Sequence, residues 1–544
     1  MTTAKTKVFK NEVIPANEFL KKRFKADGQK TIDFTIFFKP ESSSLLKPLE
    51  LIQDVEQKFN ALISRRKYNK HHLPAADAFR ILEDFLKPNK LQIKIKNAIE
   101  RWAVVRGKIF DIEKALKIDI KSTVLDGKQY YFYQNDIKLP AELGAIVESI
   151  SGLNTLPVKA KKIFPKEIGI PGAMLAGKAV NPSTFEKLYN FPNQQDGTGQ
   201  TIAIISLGGG YKKSVLEKYF KDMKISMPKI TWRSVNGGKN EPGKNIQYDY
   251  EVYMDVQIAA SLAPGARIVV YFARNKRAEI AKAIKKAIHD RKFRPSIVSM
   301  SWGSLEKEFS EDDKLTLDQV LREAASLNVT VITSSGDLGS SGVLGVTTQE
   351  KNIQLPASHP LVLAVGGSQV HIQGSVIVDE HSWEEKQQLM GQDVHFKSGG
   401  GFSTIWDLPV YQKSHMPPHL HHGHKRGIPD VAANASTFPG ILVYVGDSQQ
   451  IAMGTSAATP LWAALIARIN QALNEKGFRN MGFANPIFYH KDVKVAFNEI
   501  DDGGNGAYKA GSGWDPCTGL GSPNGTVLLA AVKSVMKRLE NAKA

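Results

Sequence analysis

Residues 181–544 predict an α/β fold, a parallel sheet flanked by helices, and residues 31–158 predict a smaller α+β unit ahead of it. Three observations carry this reading. In the larger part, short apolar strand-like runs alternate with longer segments of helical spacing, the pattern of parallel strands buried on both faces. Gly-bearing turns follow several of those runs: 207–210, 301–303 and 334–337. Between the two parts, residues 159–180 change character, with lysines at 159, 161, 162 and 166 among prolines and glycines. That composition reads as an exposed linker.

The elements follow in order. Thr31–Phe38 alternates like a half-buried strand. Helical spacing follows at 49–62 and 75–86, then short strands at 91–95 and 102–106, then a helix at 109–116. Residues 118–133 read as a hairpin turning at Asp126-Gly127, and 140–150 return to helical spacing. Strands and helices interleaved in this way predict a ferredoxin-like sheet with helices on one face. In the larger part, buried-type strands are expected at 201–206, 266–272, 296–301, 329–334 and 361–365. Helices are expected at 213–223, 249–262, 276–289 and 314–327. Ligands of such sheets sit beyond the carboxyl ends of the strands, so the Gly-bearing turns are where chemistry is expected.

Whole-chain properties set bounds. The 544 residues are too many for one ordinary core, and 42% hydrophobic with 23% charged residues fits a globular protein of two domains. No apolar run approaches the ~18 residues of a membrane span, so no membrane partner is expected. Residues 1–28 are polar and Lys-rich without an apolar stretch, unlike a secretory signal peptide. Cys517 is the single cysteine, which excludes an internal disulfide or a Cys-based metal site. The net charge of +18 lies mostly in the N-terminal third. It reads as solvated basic surface, so no nucleic-acid partner is expected. The His-rich stretch 419–424 lies in a Pro/Gly-rich loop without regular ligand spacing and reads as solvent-exposed.

The most informative segment is Gly454-Thr455-Ser456-Ala457-Ala458-Thr459-Pro460, followed by an apolar run suited to a helix. Small neighbours leave room for a substrate carbonyl, and a helix N-terminus favours a developing oxyanion. A serine needs a base to attack. Subtilisin-type peptidases also present a Gly-Thr-Ser motif, but none of the thirteen histidines stands in the His-Gly-Thr segment they use. Two acids offer another route. Glu251 and Asp255, four apart on a helix ended by Ala263-Pro264-Gly265, share one helix face. Like charges there repel, which raises one carboxyl pKa and suits a base working in acid. Taken alone, the pair reads first as two solvated helix acids, and only second as a catalytic pair. Asp337, in Ser-Ser-Gly-Asp-Leu-Gly after an apolar strand, is a third acid. A carboxyl held protonated at low pH can donate a hydrogen bond to an oxyanion.

Together these segments resemble the sedolisins, or serine-carboxyl peptidases, and most closely the kumamolisin-type bacterial pro-enzymes. Further segments that carry the resemblance are 204–211, Leu262-Ala-Pro-Gly265, 296–303, Gly399-Gly-Gly-Phe-Ser403 and Gly427-Ile-Pro-Asp-Val-Ala432. The resemblance runs from about residue 30 to 535 and implies a subtilisin-like sheet behind a prodomain. It implies Ser456 as nucleophile, Glu251 as its general base, Asp255 as support through a shared proton, and Asp337 as oxyanion stabiliser. It further implies that 1–158 is a propeptide, inhibitor and intramolecular chaperone, that 159–180 is cut autocatalytically at acid pH, and that 181–544 is the catalytic domain.

The resemblance also implies one calcium ion, held by the carboxylates of Glu499 and Asp515 and the carbonyls of Ile500, Gly511 and Gly513. Oxygen donors of this kind suit a hard cation. Glu499 stands where the family usually has the shorter Asp, with Asp501 and Asp502 at hand to compensate. Two more departures stand out. Ser206 replaces an extra Glu of the kumamolisin-type proton network, while the flanking Trp302 is retained, so an altered acid limb of the pH profile is expected. Gln354 replaces an acidic residue that some members direct into the cleft, which removes support for a basic-substrate preference. The implied protein is a monomeric, secreted acid endopeptidase whose partners are polypeptide substrates and its own propeptide. Two alternatives are a tripeptidyl aminopeptidase of the same family and a catalytically impaired binding or chaperone-like homologue.

Overall fold

A computed structural model of the chain describes residues 7–9, 24–41, 62–65, 67–68, 73–125, 127–156, 179–343, 351–389, 392–420 and 424–541. Nearly all of the helix expected at 49–62 and of the 159–180 linker lies outside these residues, as do residues 421–423 of the His-rich stretch.

The N-terminal unit is built on β1 (Thr31–Phe38), α1 (Ala78–Leu86), β2 (Gln92–Asn97), β3 (Trp102–Lys108), α2 (Ile109–Leu116), the hairpin β4 (Asp119–Leu125) and β5 (Lys128–Gln134), and β6 (Val147–Ser151). Its four-stranded antiparallel sheet runs β2-β3-β1-β6. This is the ferredoxin-like order expected. Ile32, Phe34 and Ile36 alternate inward from β1 and meet Ile81 and Leu82 of α1 and Ile112 and Leu116 of α2 in one core. Residues 140–150 depart from the expected helix. Only Ala141–Ile146 is helical, and Val147–Ser151 completes the sheet beside β1. The reason is tertiary: β6 is buried between its own sheet and the following domain, and burial of that kind overrides local spacing.

The larger domain holds β7 (Thr201–Ser206), α3 (Lys213–Asp222), β8 (Lys229–Ser234), α4 (Ile246–Leu262), β9 (Arg267–Phe272), α5 (Arg277–Ile288), β10 (Ile297–Met300), α6 (Glu311–Ser326), β11 (Thr330–Ser334), β12 (Leu363–Gln373), β13 (Val376–Ser382), β14 (Val431–Asn434) and α7 (Thr455–Asn474). The sheet runs β8-β9-β7-β10-β11-β12-β13, with β14 also paired to β12. All these pairings are parallel except β12 with β13. Every residue of β7 is buried, as expected of a strand covered on both faces. Because β7, β10 and β11 are parallel neighbours, the turns after them emerge at one edge of the sheet, where Leu207-Gly208, Ser301-Trp302 and Ser335-Gly336-Asp337 lie together. Among the described residues no helix is long and apolar enough to cross a membrane.

The N-terminal unit docks on α5 and α6. Ser149 and Ser151 of β6 bond Thr316 at 2.6 Å and Asp313 at 2.5 Å, and the Tyr133 hydroxyl donates to Asp312 at 2.9 Å. Between them lies a buried ion cluster. Arg101 of the N-terminal unit pairs with Glu323 at 2.5 Å, and Glu323 also faces Lys285 at 3.1 Å and His289 at 2.9 Å. Arg101, Glu323 and Lys285 are essentially inaccessible to water.

Candidate active site

Ser456 lies in the first turn of α7, behind Gly454, whose φ of +84° is in the region that favours glycine. A second reason for glycine is space: a Cβ at 454 would sit 2.4 Å from Asp337 Oδ2. Asp337 lies against the start of the Ser456 helix. Its Oδ1 accepts the Thr455 N–H at 2.8 Å and the Thr455 hydroxyl at 2.7 Å. Both Ser456 and Asp337 are buried, and no partner holds Ser456 Oγ among the described residues. Pro460 has no N–H, so the Ser456 carbonyl receives no bond from four residues on.

The other two acids, Glu251 and Asp255, stand on α4, which packs along α7. Asn245 caps α4, its side chain accepting from the N–H groups of Gln247 and Tyr248, so the helix begins three residues ahead of the expected start. Asp255 is fully buried, and its Oδ1 accepts the Ser301 hydroxyl at 2.9 Å. Ser301 sits in the turn after β10, so this bond ties α4 to the strand edge. Tyr250 reports where the charges gather. Its hydroxyl donates to the Ile451 carbonyl at 2.7 Å. Its pKa is pushed upward first by burial, then by the carboxylates of Glu251, Asp337 and Glu385. Glu251 and Asp337, 86 positions apart in sequence, thus act on one phenol at the base of α7.

The flanking positions are resolved too. Trp302 is buried with its ring edge-on to Tyr248 at 5.2 Å. The Ser206 hydroxyl donates to the Gly208 carbonyl at 2.7 Å and so stays within its own turn. Gln354 lies over the cleft turns: its side-chain oxygen is 3.1 Å from a Cβ built on Gly303, and its nitrogen 3.2 Å from one built on Gly336. The glycines of 399–401 are explained by close approach. A Cβ at 399 would meet the Ser335 carbonyl at 2.6 Å, and one at 400 the Pro516 carbonyl at 1.8 Å. In the 427–432 segment, Asp430 is a buried anchor for Arg426 at 2.6 Å, the Ala364 N–H at 2.7 Å and the Tyr489 hydroxyl at 2.9 Å.

Sequence reasoning assigned no role to Ser301 or Thr455, the two donors that orient Asp255 and Asp337. Each is a hydroxyl next to a residue already singled out, which was the available signal.

The candidate calcium loop brings its two segments together. Glu499 Oε1 accepts the Gly513 N–H and, at 2.7 Å, the Ser512 hydroxyl. Asp515 is buried, and its carboxylate accepts the N–H groups of Cys517 at 2.7 Å and Thr518 at 3.0 Å and the Thr518 hydroxyl at 2.8 Å. The Ile500 carbonyl faces the same Thr518 hydroxyl at 3.4 Å. Burial pushes the Asp515 carboxyl up to about 6 despite these bonds. A carboxylate so buried, in an oxygen-only donor set, fits a hard cation.

Comparisons with known proteins bear on both parts of the chain. Residues 235–484 match the Subtilase family, and residues 20–156 match the family described as Pro-kumamolisin, activation domain. Kumamolisin of Bacillus sp. (strain MN-32) is 35% identical over 485 residues, covering 86% of each chain. Tripeptidyl-peptidase 1 of Bos taurus is 26% identical, covering 72% of this chain and 71% of its own. Among solved structures, Pseudomonas sedolisin (serine-carboxyl proteinase), complexed with two molecules of pseudo-iodotyrostatin, superposes with a TM-score of 0.57 at 23% identity. It covers 65% of this chain and 98% of its own.

Proposed function

The chain belongs to the sedolisin family of serine peptidases and carries a pro-enzyme activation domain, and from this we propose an acid-acting endopeptidase made as a self-processing zymogen. The observation that carries the reading is the anchoring of Asp337 to the first turn of the Ser456 helix through both donors of Thr455. That contact puts an acid beside the place where a carbonyl attacked by Ser456 would develop negative charge.

In this mechanism Ser456 Oγ adds to the scissile carbonyl carbon and its proton passes to Glu251. Asp255, fixed by Ser301, shares a proton with Glu251 and keeps it basic enough to act. Asp337 works protonated. Its Oδ1 already accepts two bonds, which directs its proton to Oδ2 for donation to the oxyanion. Collapse of the intermediate breaks the C–N bond, and Glu251 returns the proton to the leaving amine. Water then hydrolyses the acyl-enzyme by the same steps in reverse order. The working range is acid because one of the three carboxyls must be protonated.

Residues 1–158 act as propeptide and 159–180 as the cleaved connection. Calcium, held by Glu499, Asp515 and the carbonyls of Ile500, Gly511 and Gly513, would supply positive charge that ties the 499–515 loop together. Partners are polypeptides and the propeptide itself, and the enzyme acts as a secreted monomer without nucleic acid or membrane. The similarity to a tripeptidyl-peptidase keeps a second reading in view, removal of tripeptides from a free N-terminus. An internally quenched peptide with a blocked N-terminus separates the two, since only an endopeptidase cleaves it. The test of the core reading is incubation of the full chain at about pH 4, inside the carboxyl titration range. Self-cleavage between 159 and 180, abolished by Ser456→Ala, is expected. An uncut and inactive parent across acid pH would sink the proposal.

A further inference from the structure

Among the described residues, outside the catalytic cleft and the calcium loop, one side-chain cluster has the chemistry of a metal centre. On the β12–β13 hairpin, ligand atoms of His371, Asp379 and His381 all lie within 4.8 Å of one another. The strand register explains how. His371 pairs with Asp379 across the ladder, and a bulge between His371 and Ile372 offsets the strands beside the Gly374-Ser375 turn. Asp379 and His381 are two apart on one strand and therefore share a face. The opposite face carries Val370 and Glu380, both turned into the protein. Glu380 pins the strand between the two ligands. It accepts from Ser368 at 2.6 Å, Tyr189 at 3.0 Å and Ser522 at 2.6 Å.

The hydrogen bonding sets the donor atoms. His381 Nδ1 lies 3.0 Å from the Ser382 carbonyl. A carbonyl only accepts, so Nδ1 carries the proton, and in the neutral ring Nε2 is left as a lone pair. This is how metal-binding imidazoles are oriented by their second nitrogen. His381 Nε2 faces His371 Nε2 at 3.1 Å. Two nitrogens bound at ~2.0–2.1 Å to a tetrahedral cation sit roughly 3.3 Å apart, so a small rotation of the exposed His371 admits an ion. The Asp379 carboxylate supplies the third ligand, and exposure of His371 and Asp379 leaves room for water as the fourth.

We propose that His371, Asp379 and His381 form a binding site for a borderline divalent cation, with Zn2+ as the ion its two nitrogens and one oxygen suit. The donor set separates it from the oxygen-only 499–515 loop, so the two sites select different ions. They are also mechanically joined. The Ser382 N–H, one residue past His381, donates to the Asp502 carbonyl at 2.9 Å. Zinc in the hairpin would thus brace the strand that supports the calcium loop.

The probe is Zn2+ alone, titrated calorimetrically into the full chain at about pH 7.5, with calcium in excess to fill the oxygen site. One zinc equivalent is expected, together with a higher thermal midpoint. Both His371→Ala and Asp379→Asn, at exposed positions where folding is retained, should weaken binding at least tenfold and remove the thermal shift. The variant His421→Ala/His422→Ala, in the His-rich stretch, should leave binding in place. The proposal is overturned if the parent takes up no zinc, if His371→Ala and Asp379→Asn titrate like the parent, or if the 421/422 variant alone abolishes uptake.

Discussion

Arg101→Ala tests how the N-terminal unit is held and released. Arg101 is buried against Glu323, and it also meets Glu148 at 3.5 Å and the Phe38 carbonyl at 2.5 Å. Burial alone would raise the Glu323 carboxyl, but the Lys285 ammonium and Arg101 guanidinium hold it well below the usual range. Burial lowers His289, which the Glu323 carboxylate only partly offsets, and Tyr68 covers its ring at 4.8 Å. Undocking removes Arg101 and Tyr68 together. The sign follows from linkage. Glu323 has its pKa depressed by docking, so its contribution is present above its released value and lost as pH falls. His289 is kept neutral by docking, so its contribution is lost as pH falls below about 6.5. Both favour release in acid. Glu148, raised first by burial, works in the opposite sense and weakens the effect. Removing one partner of a buried pair costs about 3–5 kcal/mol. Lys285 and His289 still face Glu323, so about 3 kcal/mol is expected. Two protons linked at about 1.4 kcal/mol each per pH unit convert that to roughly one pH unit. The midpoint pH for appearance of peptidase activity in the full chain should therefore rise by about one unit in Arg101→Ala. Glu323→Gln should move it in the same direction, and the double variant should add little. An Arg101→Ala midpoint equal to the parent's would refute the assignment of this cluster to docking.

Gly454→Ala places a Cβ 2.4 Å from Asp337 Oδ2 at a φ of +84°. With Asp337 displaced, kcat should fall about 10²- to 10³-fold, the loss typical of one oxyanion donor. KM should change little, and a parent-like kcat would remove Asp337 from that role. Calcium removal by a chelator should lower the thermal midpoint of the mature enzyme, and Asp515→Asn should abolish the effect. A chelator-insensitive midpoint would speak against the 499–515 site. Ser206→Glu puts a carboxyl at the end of β7 in place of a hydroxyl that bonds only within its turn. The acid limb of the pH–rate profile should move, and a profile that superposes on the parent's would exclude a role for this position in the proton network.

The central strands of the parallel sheet were legible because they are short, apolar and buried, unlike the half-exposed edge strand β8. β6 was not. Val147–Ser151 has helical spacing, and its strand state depends on two contacts beyond local sequence, β1 on one side and α6 on the other. The candidate catalytic acids stand out in the sequence as residues but not as an arrangement. Spacing put Glu251 and Asp255 on one helix face, whereas the Asp337–Thr455 contact spans 118 positions and needs the folded sheet to exist. The zinc-type cluster was equally hidden. His371, Asp379 and His381 follow no ligand spacing because a bulge, not a motif, brings them together.

What joins the cleft to its supports is a division of labour among buried carboxylates. Glu323 and Asp430 are each paired with buried cations, so each acts as a fixed anchor: for the N-terminal unit and for the 427–432 segment. Asp255 and Asp337 accept neutral hydroxyl or amide donors. Neutral donors position a carboxyl without pinning it in the ionised state, which a cation partner does. A mechanism that needs protons to move among carboxyls in acid is compatible only with the second kind of environment. By that criterion the Ser301 and Thr455 hydroxyls matter as much for what they are not, a lysine or an arginine, as for the bonds they make. Ser301→Lys should therefore be far more damaging than Ser301→Ala, by fixing Asp255 as a carboxylate rather than by loosening it.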